Sequence, residues 1–397
     1  MAERNIGQIS NELEFNLDKI EAKELIGQVP NLVHEVNPRD IVELNVSLAE
    51  DIVDLNRKVD EDIRSLIRKT ESRGGRIYGG ASLLRDVSDV EPKWHRTTSM
   101  SESCGRGFLD ITSQQIVLGV TDEDFGFELY RFLTQINPAL LALSASSPLI
   151  LREGELQDTH LASRRIEQYD QLCRFFPSDM WRSPPVISSV AEYFEALSRV
   201  SEKTKQMLRN MEMDTNWEEL TRNRNNGNGG FRYYPFQILE PHQVYWFIRV
   251  RPDHRTIEKG GNSLFSLEVR VPDMSTSVSG IQTINSLVVG LSYYIADHGS
   301  SGIDVPLTQD FNDLRATGIN GLSYRIGGVP LKKVVDILSR YAERGLTERG
   351  YSTEGAKLGE RVENVLRNGN DSDLIRAYRP INPEQLKNYL VRRLKGE

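Results

Sequence analysis

Charged and amide residues recur at every second position in five short stretches of this chain. Glu12 and Glu14 lie in NELEFNL, Glu43 in IVELNVSL, Gln115 in SQQIVLGV, Arg249 and Arg251 in IRVR, and Glu268 and Arg270 in SLEVRV. Alternate side chains of an extended strand share one face, so each stretch turns these residues one way and its apolar residues the other. Two carboxylates at i and i+2 sit roughly 7 Å apart and repel unless a cation lies between them. An oxygen-only donor set without His or Cys suits a hard cation such as Mg²⁺. Arginines beside it can grip a substrate carboxylate or a phosphate with two parallel hydrogen bonds. Carboxylates for Mg²⁺ next to arginines are the parts that phosphoryl transfer from ATP requires. The plain alternative is a polar face that meets water, as in most antiparallel sheets. Four glutamates and three arginines are an unusual composition for such a face.

Other chemistries lack their residues. No P-loop is present, and the glycines of SRGGRIYGGAS follow a helix and lead into a strand, the reverse of a dinucleotide site. The six histidines show no metal-ligand spacing, and Cys104 and Cys173 give neither a disulfide framework nor a zinc site. No G-x-S-x-G elbow occurs.

The elements that must carry these residues follow from periodicity. Strands are expected over Ile9 to Leu17, Ile41 to Leu48, Ser113 to Val120, Val244 to Arg251 and Leu264 to Val271, each with one apolar and one polar face. Such alternation indicates an antiparallel sheet with a helical layer on its apolar side. The spacing of Leu48, Ile52, Leu55, Val59, Ile63, Leu66 and Ile67 predicts a helix that glycine ends after Glu71. A second helix begins around Phe127 and stops near Asn137-Pro138. A third carries Val190, Phe194, Leu197 and Val200, and a mostly apolar one runs from Ser277 to Ala296. From Pro330 the tail reads as a helical cap. Arg85 to Gly107, the Asn- and Gly-rich Arg222 to Pro235, and His298 to Gly302 read as loops.

Composition sets the frame. The chain has 397 residues, 38% hydrophobic and 27% charged, which is ordinary for a soluble globular protein of one large or two modest domains. No apolar run approaches the ~18 residues of a membrane span, and the start MAERNIGQISNELEF has no signal core, so a cytoplasmic location is expected. A net charge of −8 argues against non-specific nucleic-acid binding.

The stretches NELEFNL, DIVELNVSLAEDI, INPALLALSASSPL, LASRR, IRVRPDHR and SLEVRVPDMSTSV, taken in order, resemble the carboxylate–amine ligase family. That family contains one type of glutamate–cysteine ligase. The most specific pieces are the E-x-E strand, the LSASSP turn with the following S-R pair, and E-V-R. The resemblance implies an α+β fold like the catalytic domain of glutamine synthetase. Its curved, mostly antiparallel sheet forms an open funnel, with helices packed on the other face. It places a catalytic domain at residues 1–330 and a C-terminal helical cap at 331–397. The implied chemistry is phosphorylation of the γ-carboxylate of glutamate by ATP, attack by an amine, and amide formation. Carried over by position, Glu12, Glu14, Glu43 and Glu268 hold Mg²⁺, with Gln115 offering a further oxygen. Arg270 stabilises the transferred phosphoryl beside Glu268, while Arg164, Arg249 or Arg251 bind substrate carboxylate or ATP phosphates. Bacterial relatives usually carry H-x-H-x-G where this chain has Gln115-Ile116-Val117-Leu118-Gly119. The expected partners are small molecules, glutamate and an amino compound, with cysteine leading and glutathione biosynthesis as the setting. Another amine, a protein acceptor, or a degenerate nucleotide-binding relative are the alternatives. A homo-oligomer stays open, and neither nucleic acid nor a membrane is required.

Overall fold

The computed structural model describes residues 4–34, 40–81, 111–152, 154–175, 186–199, 247–251 and 263–397. The loop candidates Arg85 to Gly107 and Arg222 to Pro235 lie outside them. Seven strands form one sheet: β1 (Ile6–Asp18), β2 (Leu32–His34), β3 (Ile41–Asn45), β4 (Arg76–Tyr78), β5 (Gln114–Val120), β8 (Ile248–Arg251) and β9 (Phe265–Val269). Their order is β2-β3-β1-β5-β9-β8, with β4 also paired to β1, and every pairing is antiparallel. β6 (Leu149–Arg152) and β7 (Glu155–Asp158) make a separate hairpin.

The helices pack on the apolar face. α1 (Ile52–Glu71) starts at Asp51, whose side chain accepts from Asp54 N–H. α2 (Glu123–Gln135) is capped by Asp122 in the same way. The chain then re-enters a helix, α3 (Asn137–Ser144), with Pro138 in its first turn, where the missing N–H costs nothing. α4 (Arg164–Phe175) and α5 (residues 190–199) follow. α6 (Val278–His298), capped by Ser277, is buried on all sides through its middle, as its apolar sequence requires. α7 (Phe311–Asn320) and the tail helices α8 (Leu331–Glu348), α9 (Ser352–Asn368), α10 (Asp371–Tyr378) and α11 (Pro383–Lys395) complete the layer. The tail shares the main core, since Leu331, Leu338, Leu346 and Leu394 join one cluster with Ile9, Leu13 and Val269. α6 and α8 cross closely because both are notched: a Cβ on Gly290 would stand 2.5 Å from Ala342 O, and one on Gly345 2.2 Å from Gly290 O. Among the described residues no helix is long and apolar enough to cross a membrane.

Several boundaries differ from the sequence expectation for identifiable reasons. The third strand stops at Asn45 rather than Leu48. Val46 N–H still bonds Asn11 O at 2.9 Å, but the chain then bows out and returns to pair Ala49 with Ile9. The helix begun by periodicity at Leu48 starts at Ile52, because Asp51 caps it. The ladder of β9 ends at Val269 rather than Val271, because the next two carbonyls bond to an arginine from α4. Val244 to Trp246 and Val200 lie outside the described residues.

One polar residue breaks the apolar row of β1. Asn11 points at the helices and exchanges two hydrogen bonds with Asn285 of α6, at 3.0 and 2.7 Å. It also donates to Gln115 O at 3.1 Å, and Gln114 donates to Asn285 at 2.9 Å. A one-residue slip of β1 would turn its glutamates into the core. It would also break this fully buried amide pair, which therefore pins the register that sends Glu12 and Glu14 to the other face.

Candidate active site

The polar face of the sheet is largely buried, not washed by water. Glu14, Gln115 and Glu268 are each less than 10% exposed. Strand register arranges the residues in rows. Glu14 lies directly opposite Glu43, and Glu12 lies between Asn45 and Gln115. The next row reads Ser10, Val117, Glu268 and Arg249. All nine sequence candidates except Arg164 thus share this face.

Two subsites with opposite electrostatics result. The first centres on Glu14. Its carboxylate accepts from Ser113 N–H at 2.6 Å, Ser113 Oγ at 2.9 Å and Gln115 Nε2 at 3.0 Å. Burial raises its pKa above the usual range, although Arg165 and the Ser113 bonds pull the other way. Across the ladder Glu43 accepts from Asn45 at 2.6 Å. Like charges directly opposite on neighbouring strands destabilise a sheet.

The second subsite is Glu268, collared by arginines. Arg249 Nε donates to it at 2.7 Å, Arg251 Nη1 stands 3.5 Å away, and Arg270 Nε 3.6 Å from its other oxygen. Burial alone would raise this carboxyl, but Arg249, Arg270 and Arg251 outweigh it and push it down to about 2. Arg251 also reaches Glu12 at 3.4 Å, which links the two subsites. Burial lowers Arg249 in turn, with Arg270 and Arg251 adding to the effect.

The donors fit a hard cation in chemistry. They are all oxygens, and two buried ones, Gln115 Oε1 and Glu268 Oε1, accept no hydrogen bond among the described residues. No three acidic, His or Cys side chains among those residues form a metal cage by themselves. Val117 is buried in the row between Ser10 and Glu268.

Behind this face the LSASSP turn, the S-R pair and the residues after E-V-R converge on one carboxylate, Asp273. It accepts from Ser163 Oγ at 2.9 Å, Ser146 N–H at 3.2 Å and Ser147 Oγ at 3.3 Å, while its own N–H donates to Ser144 Oγ at 3.1 Å. Arg164 opens α4, its N–H held by Ser147 Oγ at 2.8 Å. The buried guanidinium that reaches the end of β9 belongs to Arg165, not Arg164. The sequence reading named Arg164 alone, and the helical phase of α4 brings its neighbour Arg165 to the end of β9 instead. Asp273 and Arg165 are supporting residues that strand alternation cannot flag, because neither lies in a strand, and Ser113, the first residue of an expected strand, just precedes β5.

Burial pushes the Asp273 carboxyl up to about 6, against the lowering pull of Arg165 and the serines. The folded chain therefore keeps a proton that the unfolded chain releases above about pH 4. Its contribution to stability should fall as pH rises from about 4 to about 6 and stay level above that. Urea unfolding of the wild type and Asp273→Asn across this range tests it. The stability difference should shift against the wild type within that window, and a pH-independent difference would contradict the assignment.

A family model for glutamate-cysteine ligase family 2 matches residues 9–362. The chain belongs to that family. It is accordingly an ATP-dependent carbon–nitrogen ligase. Among solved structures it is similar to the glutamate–cysteine ligase of Francisella tularensis in complex with AMP. The TM-score is 0.62 at 12% identity, covering 100% of this chain and 89% of that one. It is also similar to a bifunctional glutathione synthetase from Pasteurella multocida, with a TM-score of 0.55 at 12% identity, over 98% of this chain and 52% of that one. At these identities the likeness concerns the fold. No curated protein matches. In this member of the family the motif pieces converge on Asp273 through hydrogen bonds.

Proposed function

We propose that this ligase phosphorylates the γ-carboxylate of glutamate with ATP and joins the acyl group to an amine, with cysteine as the amine. The observation that carries the reading is the arginine collar around Glu268 on the same buried face as the opposed pair Glu14 and Glu43. The sheet is taken as the wall of an open, glutamine synthetase-like funnel. Residues 331–397 are taken as its helical cap.

The reaction places demands that the residues can meet. A γ-carboxylate oxygen of glutamate bonds to the terminal phosphorus of ATP, and ADP leaves. The amine nitrogen then bonds to the acyl carbon, the acyl–phosphate bond breaks, and the nitrogen loses a proton. Charge on the moving phosphoryl is met by Arg270, whose planar fork is always charged. Arg249 and Arg251 orient phosphate or substrate carboxylate, and Arg164 can approach from the start of α4. Glu268 keeps three mutually repelling guanidinia together. Glu12, Glu14, Glu43, Gln115 and Glu268 are the oxygens that would hold Mg²⁺. The ion's part is to neutralise and orient the ATP phosphates.

ATP should bind this face with divalent metal and much more weakly without it, since Glu14 and Glu43 stand opposite each other and carboxylates repel phosphate. Calorimetry of ATP binding with Mg²⁺ and with EDTA tests this. Equal affinity in the two conditions would remove the metal role from these carboxylates.

A further inference from the structure

The LSASSP turn and Ser163 bond to Asp273, and Arg165, two residues after Ser163, bonds to the backbone of Arg270. β9 stops at Val269, and the following carbonyls have no ladder partner on that side. Arg165 takes both: Nη2 donates to Arg270 O at 2.7 Å and Nη1 to Val271 O at 2.9 Å. Arg270 N–H donates the other way, to Phe247 O at 2.7 Å. The ring of Phe247 packs on Tyr169 at 4.7 Å, and the Arg165 guanidinium lies 5.8 Å from the Tyr169 ring centre. Arg165, Arg270, Phe247 and Tyr169 thus form a closed circuit around the Arg270 peptide.

Arg165 is itself held. It is buried at 4% exposure, and the negative charges that face it are Asp273 and Glu14. Asp273 ties α4, through Ser163, to the 144–147 turn and pairs with Ser113, whose N–H and hydroxyl grip Glu14. One buried scaffold therefore holds both the arginine side and the glutamate side of the face.

We propose that Arg165, anchored through Asp273 and Tyr169, is a positioning residue that sets where the Arg270 guanidinium stands beside Glu268. The placement of Arg270 for phosphoryl transfer rests on the ligase reading; the placement of its side chain does not. A two-pronged guanidinium fixes two successive carbonyls at once, whereas a lysine offers one point charge of different reach. Displacement of a reacting group by about 1 Å can cost on the order of 10²-fold in rate.

The test is Arg165→Lys, made in the wild-type and Arg270→Lys backgrounds. Crystal structures of Arg165→Lys and wild type should show the Arg270 guanidinium displaced from Glu268 by about 1 Å or more in the variant. Turnover should fall by about 10²-fold, while KM for ATP stays within roughly threefold, since ground-state binding is shared among several groups. In the Arg270→Lys background the same change should cost less than about twofold, because the residue it acts through is already gone. An equal loss in both backgrounds, or an unmoved Arg270, overturns the proposal. A wild type without glutamate-dependent turnover would remove the ligase reading, and the crystallographic comparison would still decide the positioning role. Should Arg165→Lys fail to fold, Ser163→Ala removes one support of Asp273, and Arg270 should shift in that variant too; an unshifted Arg270 overturns the proposal there as well.

Discussion

Arg270→Lys should lose turnover by about 10²-fold or more while folding normally. Arg270 is one of three guanidinia around Glu268, 3.6 Å from its carboxylate, and it shares the face with the opposed pair Glu14 and Glu43. A fork that contacts two oxygens of a moving phosphoryl acts mainly in the transition state. Its loss should therefore lower kcat more than it raises KM. The competing role is structural: Arg270 would serve only to neutralise Glu268. Lysine would then satisfy that role in part, giving a less stable variant of nearly normal activity per folded molecule. Melting temperature and steady-state kinetics on one preparation separate the two, and a variant with most of its turnover number would place Arg270 outside the chemistry.

Glu268→Gln should lower the unfolding free energy by about 3–5 kcal/mol at neutral pH. The substitution keeps shape and hydrogen-bonding capacity, but it leaves Arg249, Arg251 and Arg270 with no buried negative charge between them. Removing one partner from a buried ion cluster costs more than the cluster's net contribution, because the remaining charges lie in a poorly solvated place. The sign with pH is set by the carboxyl's position at about 2 instead of its ordinary 4.5. The stabilisation is complete above about pH 4.5 and is lost as pH falls towards 2, so the gap between wild type and variant should close in acid. Urea unfolding at several pH values measures this. A difference below about 1 kcal/mol at pH 7, the size of an exposed ion pair, would show that the arginines are compensated elsewhere.

Alternation in the sequence was enough to separate the two faces of the strands, and periodicity located α1, α2 and α6, with starts at α1 and α2 that Asp51 and Asp122 shift by capping. Strand order was not legible. Arg251 and Glu12 approach to 3.4 Å across a separation of 239 residues, and alternation within each strand carries no information about its neighbours. Asn11 was absorbed into an apolar row because a single buried amide does not disturb a period-two pattern. Its role depends on Asn285, 274 positions away. The choice of Arg165 over Arg164 needs the phase of a helix whose first residue is Arg164 itself. The LSASSP and S-R motifs stood out as sequence, but their meeting point, Asp273, is a loop residue without periodic signature. The oxygen-only donor set suggested Mg²⁺, and the resemblance assigned Glu12, Glu14, Glu43 and Glu268 to it. Strand register adds the reason such a cation would be welcome, since it sets Glu14 opposite Glu43.

The most direct measurement is ADP release by the purified chain supplied with ATP, glutamate and a panel of amines including cysteine, each with and without Mg²⁺. The expected result is release that requires glutamate, one or more of the amines and Mg²⁺ together, with one equivalent of γ-glutamyl amide formed per ADP. Folded protein that releases no ADP with any amine, or releases it without glutamate, would contradict the proposed reaction.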